Sequence, residues 1–495
     1  MRWLDNPTVD FSSYQLENLP YSSYNVKTVT PMFGGGSEAG RIDKNRPVHV
    51  SSIKGQLRFW WRATRGATFA TTYELRKREI EIFGDTQQPS SMKIWIEHIR
   101  NNEIQSYAPQ RYDNHAPYPP YLFQKVNDGA RGSKPVHYIL QCEFRLCMQW
   151  SQKVILLKES NPEEFKKWQL DWEAAVWAWI NFGGIGARTR RGGGSLYCHN
   201  VSPGSDVNSS QNFMNWLNER MKHFELNDLK TTDTLKEWPT LSGKVIVKDQ
   251  IDDNWRMENC LLGRENEPGT RLRGSWYESI ECYRRFRHKV LRGNKRSLWP
   301  EPDSVREITG MKEIAHETPH PSTKPSKLVS FPRAQLGLPI IFKFRQNKVL
   351  DNSYTDKREP YTTQLLPKGK TRLASPLILK TIAIQENKGF AAIIVLNQPV
   401  LKELELDLVP IDEKRLNNDE KKHIREVEKR LKAQQLQKDE IYPRSLYSDS
   451  PMSRKNKNYN STVKAFLNSE EVERFCKTQI RNSNNQNRYS KNRKP

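Results

Sequence analysis

Strand, helix, strand, strand, helix, strand is the order that apolar periodicity spells between residues 24 and 198, and a similar pattern restarts at Gly243. That order predicts an α+β chain of two tandem ferredoxin-like domains with insertions, the arrangement also used by the RNA recognition motif. A short echo supports the duplication. Ile53-Lys54-Gly55-Gln56-Leu57 and Leu272-Arg273-Gly274-Ser275-Trp276 share apolar, basic, glycine, small polar and apolar positions at the same step of the two patterns.

Taken in order, Tyr24–Thr30 reads as a strand ended by Pro31, followed by a glycine loop from Phe33 to Arg41. Ser51 or Ser52 can cap the next helix, which runs to Gly66 and, after a break, through Tyr73–Phe83. Met92–Arg100 and Val136–Trp150 alternate as strands around a Pro-, Tyr- and Gly-rich insertion at 106–135. Asn161 and Pro162 open a helix whose Phe165, Trp168, Trp172, Ala175, Val176 and Trp179 share one face, the spacing of a core-packing stripe. A glycine-rich loop, Gly183–Leu196, leads to a short strand at Ser195–Cys198.

Polar residues 201–240 read as a linker with a short helical piece. Gly243–Lys248 is a strand, and a basic helix with Tyr283, Arg284, Arg285, Phe286 and Arg287 follows the echo. After an irregular insertion at 299–330, Pro339–Phe344, Pro376–Ile384 and Phe390–Leu396 read as strands. Glu413–Lys438 is a charged helix, and from 451 an Asn-, Lys- and Arg-rich tail is expected to be mobile or only locally helical. The expected division is 1–205, a linker at 206–240, 241–410, and a charged tail at 411–495.

The chain has 495 residues, with 80 Lys and Arg against 57 Asp and Glu, so its net charge is +23. Such an excess points to a polyanionic partner, and 14 tryptophans favour nucleic acid, whose bases stack on aromatic faces, over a membrane. Six cysteines without a CxxC pair fit a reducing, cytoplasmic setting and no zinc site. MRWLDNPTVDF has no signal-peptide core, and the longest apolar runs are strand-sized. No cofactor and no small-molecule substrate are expected.

Two basic motifs carry the functional reading. At about 100° per residue, Lys54, Arg58, Arg62 and Arg65 form a stripe beside Trp61 on the helix from Ser51. Four like charges repel, so the plain alternative of a solvated face gains nothing from the pattern, whereas a polyanion would; Trp61 either stacks on a base or closes the core. Gly55 within this helix costs about 1 kcal/mol relative to Ala and points to a close backbone or phosphate. In the second motif, Gly184-x-Gly186 and Gly192-x-Gly194 flank Arg188, Arg190 and Arg191. Glycines let amides face a phosphate backbone, and arginines supply forked donors. The loop lacks the GK[ST] end of a Walker A motif and follows a helix. Arg41, which closes the first glycine loop, completes the expected RNA-binding set.

Thr30-Pro31-Met32-Phe33-Gly34-Gly35-Gly36 and Ser52–Ala63, with its FWWRA run, resemble the first RAMP subunit of the Cmr module, the type III-B CRISPR RNA-guided effector. Gly183–Leu196 is similar to the RAMP glycine-rich loop, and Phe331–Pro339 and Arg372–Leu379 resemble that subunit's C-terminal signatures. The resemblance implies tandem RAMP domains and a non-catalytic RNA-binding role in antiviral defence. It implies contact with the 3′ part of the guide RNA, with target RNA and with other Cmr RAMP subunits. Two alternatives differ in class: a metal-independent guide-processing ribonuclease using His49 as its base, and a scaffold that binds only protein neighbours.

Overall fold

Alternating apolar residues build the first sheet: Val26 and Thr28 on one strand, and Phe144, Leu146 and Met148 on another, all turn to the same buried side. The computed structural model describes residues 21–101, 103–107, 136–226, 236–248, 275–290, 297–311, 329–344, 359–386, 388–409, 418–434, 436–443 and 450–477. Most of the 106–135 insertion, the Leu272–Gly274 part of the echo, most of the 299–330 insertion and the end of the tail lie outside these residues.

The first half runs β1 (Tyr21–Thr28), β2 (Met32–Phe33), α1 (Val50–Ala63), α2 (Thr72–Phe83), β3 (Met92–Asn101), β4 (Gln105–Tyr107), β5 (Val136–Ile139), β6 (Cys142–Trp150), α3 (Gln152–Ser160), α4 (Pro162–Phe182), β7 (Leu196–Tyr197) and α5 (Ser210–His223). Its main sheet has the order β3-β6-β1-β7, every pairing antiparallel. The strand expected at Val136–Trp150 is two strands: β5 leaves the main sheet to pair with β2 and β4, which anchors the first glycine loop. Asn161 accepts from the Glu164 amide at 3.1 Å and Pro162 takes the first helical position, as the capping residues predict. The tryptophan face of α4 is core: Trp168, Trp172 and Trp179 are buried. The stretch 201–240 holds more than a short helical piece, since α5 has 14 residues and buries Phe213, Leu217 and Met221.

The second half contributes β8 (Thr240–Val247), α6 (Ser275–Arg287), α7 (Glu301–Thr309), β9 (Ile340–Phe342), β10 (Thr363–Pro367), β11 (Leu377–Gln385), β12 (Lys388–Asn397), β13 (Leu404–Leu408) and α8 (Asn418–Ala433). Strands β11-β12-β8 form one antiparallel sheet and β13-β10-β9 another. β11 and β12 are buried on both faces, which is why they read as unbroken apolar runs. Ile378, Ile382 and Ile394 join the first half's core, while Leu379, Ile393 and Val395 pack with Trp276 and Phe286 of α6. The tail departs from expectation. Residues 450–477 fold into a hairpin at Ser453–Asn458 and helices α10 (Thr462–Leu467) and α11 (Glu470–Cys476), after a short α9 (Lys438–Ile441). Phe466 packs on Tyr283 and Phe286, so apolar anchors spaced through a polar segment suffice to fold it.

Candidate nucleic-acid interface

On α1 the basic stripe has its own counter-ions. The turn at Arg65–Thr68 reverses the chain, and α2 lays Glu79 against the stripe. Arg58 Nε donates to Glu79 Oε1 at 2.7 Å and Arg62 Nε to Oε2 at 2.8 Å, with Glu79 only 1% exposed. Burial pushes the Glu79 carboxyl up, and the hydrogen bonds and charges of Arg62 and Arg58 more than reverse this, leaving it below the usual carboxylate range. Arg65 lies 3.5 Å from Asp171 and 2.7 Å from Glu225. Asp171 also receives Trp61 Nε1 at 3.0 Å and Arg78 at 3.0 Å. The premise of four uncompensated cations is therefore corrected: Glu79, Asp171 and Glu225 neutralise three of them. Only Lys54 has no acidic partner among the described residues, and burial with the charge of Arg58 draws its ammonium down.

Two further expectations change. Trp61 is 0% exposed and locked between Phe69, Phe83 and Asp171, so it closes the core and offers no face to a base. Gly55 approaches no backbone: a Cβ there would meet nothing within 4 Å among the described residues. Helix α1 also starts at Val50, before either serine, with His49 at its N-cap making no capping bond.

The glycine loop was expected to let amides approach phosphate, and the structure gives its glycines a packing role. Its amides are mostly spent inside the protein: Ile185 N donates to Gly194 O at 3.0 Å, Ala187 N to Phe33 O at 2.6 Å, Gly192 N to Thr189 O at 3.0 Å and Gly194 N to Pro31 O at 2.8 Å. Glycine is required for close protein packing. At Gly192, with φ +78°, a Cβ would lie 2.5 Å from Trp276 and 2.8 Å from the Leu379 carbonyl. At Gly184 it would meet the Gly194 carbonyl at 2.7 Å, and at Gly186 the Phe33 carbonyl at 2.7 Å.

The loop joins the two halves. Arg190 donates to the Ser375 carbonyl and lies over Phe59, 5.4 Å from its centroid. Arg191 donates to the Leu377 carbonyl at 3.2 Å and lies over Tyr283 at 4.6 Å. Trp276 Nε1 returns a bond to Arg191 O at 2.6 Å. Burial pulls Arg190 down to about 10. Arg188, in the left-handed region at φ 63°, is the exposed one of the three. The surrounding chain still strips part of its water, and with the charges of Arg372 and Arg191 draws it below its ordinary value. A crevice of about 190 Å³ lies between Gln56, Phe59 and Trp60 of α1 and Arg190 of the loop. The loop thus meets one side of α1, while Arg58 and Arg62 occupy the side facing α2; the structure does not bring the two basic motifs into one row. Arg41 hydrogen-bonds His137 and lies 3.9 Å from Glu38.

Sequence reasoning missed Glu79 and Asp171 as counter-ions and Lys380 as a joint residue. Lys380 is 0% exposed, and its Nζ donates to the Gly183 carbonyl at 2.8 Å, past the end of α4. Its signal was a lone Lys within an apolar strand. Among the described residues no group of His, Cys, Asp and Glu could hold a metal ion, and no helix is long and apolar enough to cross a membrane.

Residues 25–197 match the RAMP superfamily, a range that starts within β1, ends with β7 and contains the glycine loop. The Cmr subunit Cmr1-2 of the Pyrococcus furiosus CRISPR system is 29% identical over 180 residues, 35% of this chain and 92% of that protein. Over residues 25–197 the chain is similar to RAMP superfamily proteins, and it shares this likeness with Cmr subunits of a CRISPR system. A second P. furiosus subunit, Cmr1-1, is 28% identical over 152 residues, 30% of this chain and 40% of its own length. The crystal structure of apo Cmr1 from P. furiosus aligns at a TM-score of 0.38 and 18% identity, over 82% of this chain and 96% of that one. In this chain the partners that clasp the loop, Trp276, Ser375, Leu377 and Lys380, all lie beyond the superfamily match.

Proposed function

We propose that this chain is the non-catalytic, RNA-binding subunit of a cytoplasmic type III-B Cmr ribonucleoprotein, built as tandem ferredoxin-like domains at 1–205 and 241–410. It holds the 3′ part of the guide RNA, helps engage target RNA and sits beside other RAMP subunits, with cleavage chemistry left to its neighbours. One observation carries the reading. The cations of the α1 stripe are largely neutralised within the chain, whereas Arg188, Arg190 and Arg191 have no carboxylate partner among the described residues. A polyanion is the counter-charge that the loop lacks. Lys54 and the open space at Gly55 extend the surface, and the outer donors of Arg58, Arg62, Arg65 and Arg41 supply weaker contacts. Contacts of this kind are sequence-independent, since guide–target pairing carries sequence.

Replacing all three loop arginines would also break the joint, so Arg188→Ala is the clean test. Titration of a fluorescent single-stranded RNA against the full chain at several salt concentrations should show weaker binding for Arg188→Ala. Its log–log salt slope should be smaller by about 0.7, one phosphate's worth. Equal affinity and slope for the two proteins would remove the assignment.

A further inference from the structure

The Arg372 motif, grouped above with the C-terminal signatures, has no part in the joint itself but stands beside it. β10 ends at Pro367, and the turn Lys368-Gly369-Lys370-Thr371-Arg372 carries three cations toward β11. The chain after this turn is fixed on two sides. Leu373 exchanges backbone bonds with Leu338 at 2.9 and 3.1 Å, and the Ser375 carbonyl accepts from Arg190. Leu377, two residues on, accepts from Arg191. Arg372 is therefore held on a pinned segment beside the glycine loop and is exposed, as Arg188 is, and of the charges that act on the Arg188 guanidinium its own is the largest.

At several other places among the described residues, cations are neutralised by carboxylates. Glu79 serves Arg58 and Arg62, Glu281 serves Arg284 and Arg285, Glu359 serves Arg306, and Glu403 holds Lys368 at 2.6 Å on this same turn. Arg188 and Arg372 have no carboxylate partner among the described residues. Two exposed guanidiniums carried on segments that are hydrogen-bonded together, without a carboxylate partner among the described residues, suit an anion, because an inserted phosphate removes their repulsion and takes forked donors from both.

We propose that Arg188 and Arg372 form a clamp for one RNA phosphodiester, so that the phosphate site is shared by the two halves of the chain and is complete only when they are docked. The clamp rests on the RNA-binding reading above. It extends that reading to a residue outside the superfamily match and to a geometry of one phosphate between two arms.

The test is the same single-stranded RNA titration of the full chain, with Arg188→Gln, Arg372→Gln, the double variant, Arg372→Lys and Lys368→Gln, each checked by thermal melting. The expected result is that Arg372→Gln weakens binding and lowers the salt slope by about 0.7. Lys368→Gln should bind as wild type does, since Glu403 already satisfies that lysine, and Arg372→Lys should recover most of the slope. The two glutamine variants should be non-additive, the double losing little more than either single, because they share one phosphate. Wild-type affinity for Arg372→Gln, an equal loss for Lys368→Gln, or strict additivity would overturn the clamp while leaving RNA binding intact. Absence of RNA binding by the wild type would instead overturn the underlying reading, and the clamp with it.

Discussion

Glu79 decides what the α1 stripe does. Its carboxyl is taken out of water to face two guanidiniums, so removing its charge leaves Arg58 and Arg62 repelling each other beside the core. Glu79→Gln should therefore destabilise the fold by about 3 kcal/mol in a denaturant titration. The pH dependence has the same origin. A carboxyl held below its unfolded value of 4.5 contributes stability above that value, and the contribution is lost as pH falls through the lower folded pKa. Acid melts of Glu79→Gln should accordingly show less loss below pH 4.5 than the wild type. The helical wheel correctly set Trp61 beside the basic stripe. It could not tell that α2 would fold back across it, because a pairing over 21 residues leaves no periodic trace.

The glycine loop and the strand it rests on form the next scale. Its G-x-G spacing was legible, but the physical demand was not: Gly192 is glycine because Trp276, 84 positions downstream, occupies the space a side chain would need. Gly192→Ala combines a positive φ with that clash and should cost about 3 kcal/mol, read as a lowered melting temperature. Lys380, on β11, gives the joint a pH signature. Burial draws its ammonium down to about 7, against 10.5 when unfolded. Between these values the unfolded chain binds the extra proton, so stability rises with pH, by at most about 1.4 kcal/mol per unit. Comparing melts from pH 7 to 10, Lys380→Met should lose this slope relative to the wild type; parallel curves would show that Lys380 does not titrate there. The order of strands and helices and the tryptophan face of α4 were readable from periodicity alone. β10 and β13, five residues each, were not, since short alternating segments resemble loops until a neighbouring strand pairs with them.

Across the whole molecule, a net charge of +23 pointed to a polyanion without saying where it would lie. Internal neutralisation narrows the place. The α1 cations are largely consumed by the fold, and Arg188 and Arg372, exposed and without a carboxylate partner among the described residues, are the pair proposed to take a ligand. The shared core of β11 and β12 keeps that joint rigid, and residues 450–477 brace α6 from behind. The most direct measurement is photo-crosslinking of the full chain to a single-stranded RNA carrying 4-thiouridine, with the attached peptides mapped by mass spectrometry. Crosslinks at 183–196 and around Arg372 are the predicted result. Crosslinks confined to surfaces remote from the joint, or none at low salt, would contradict the account.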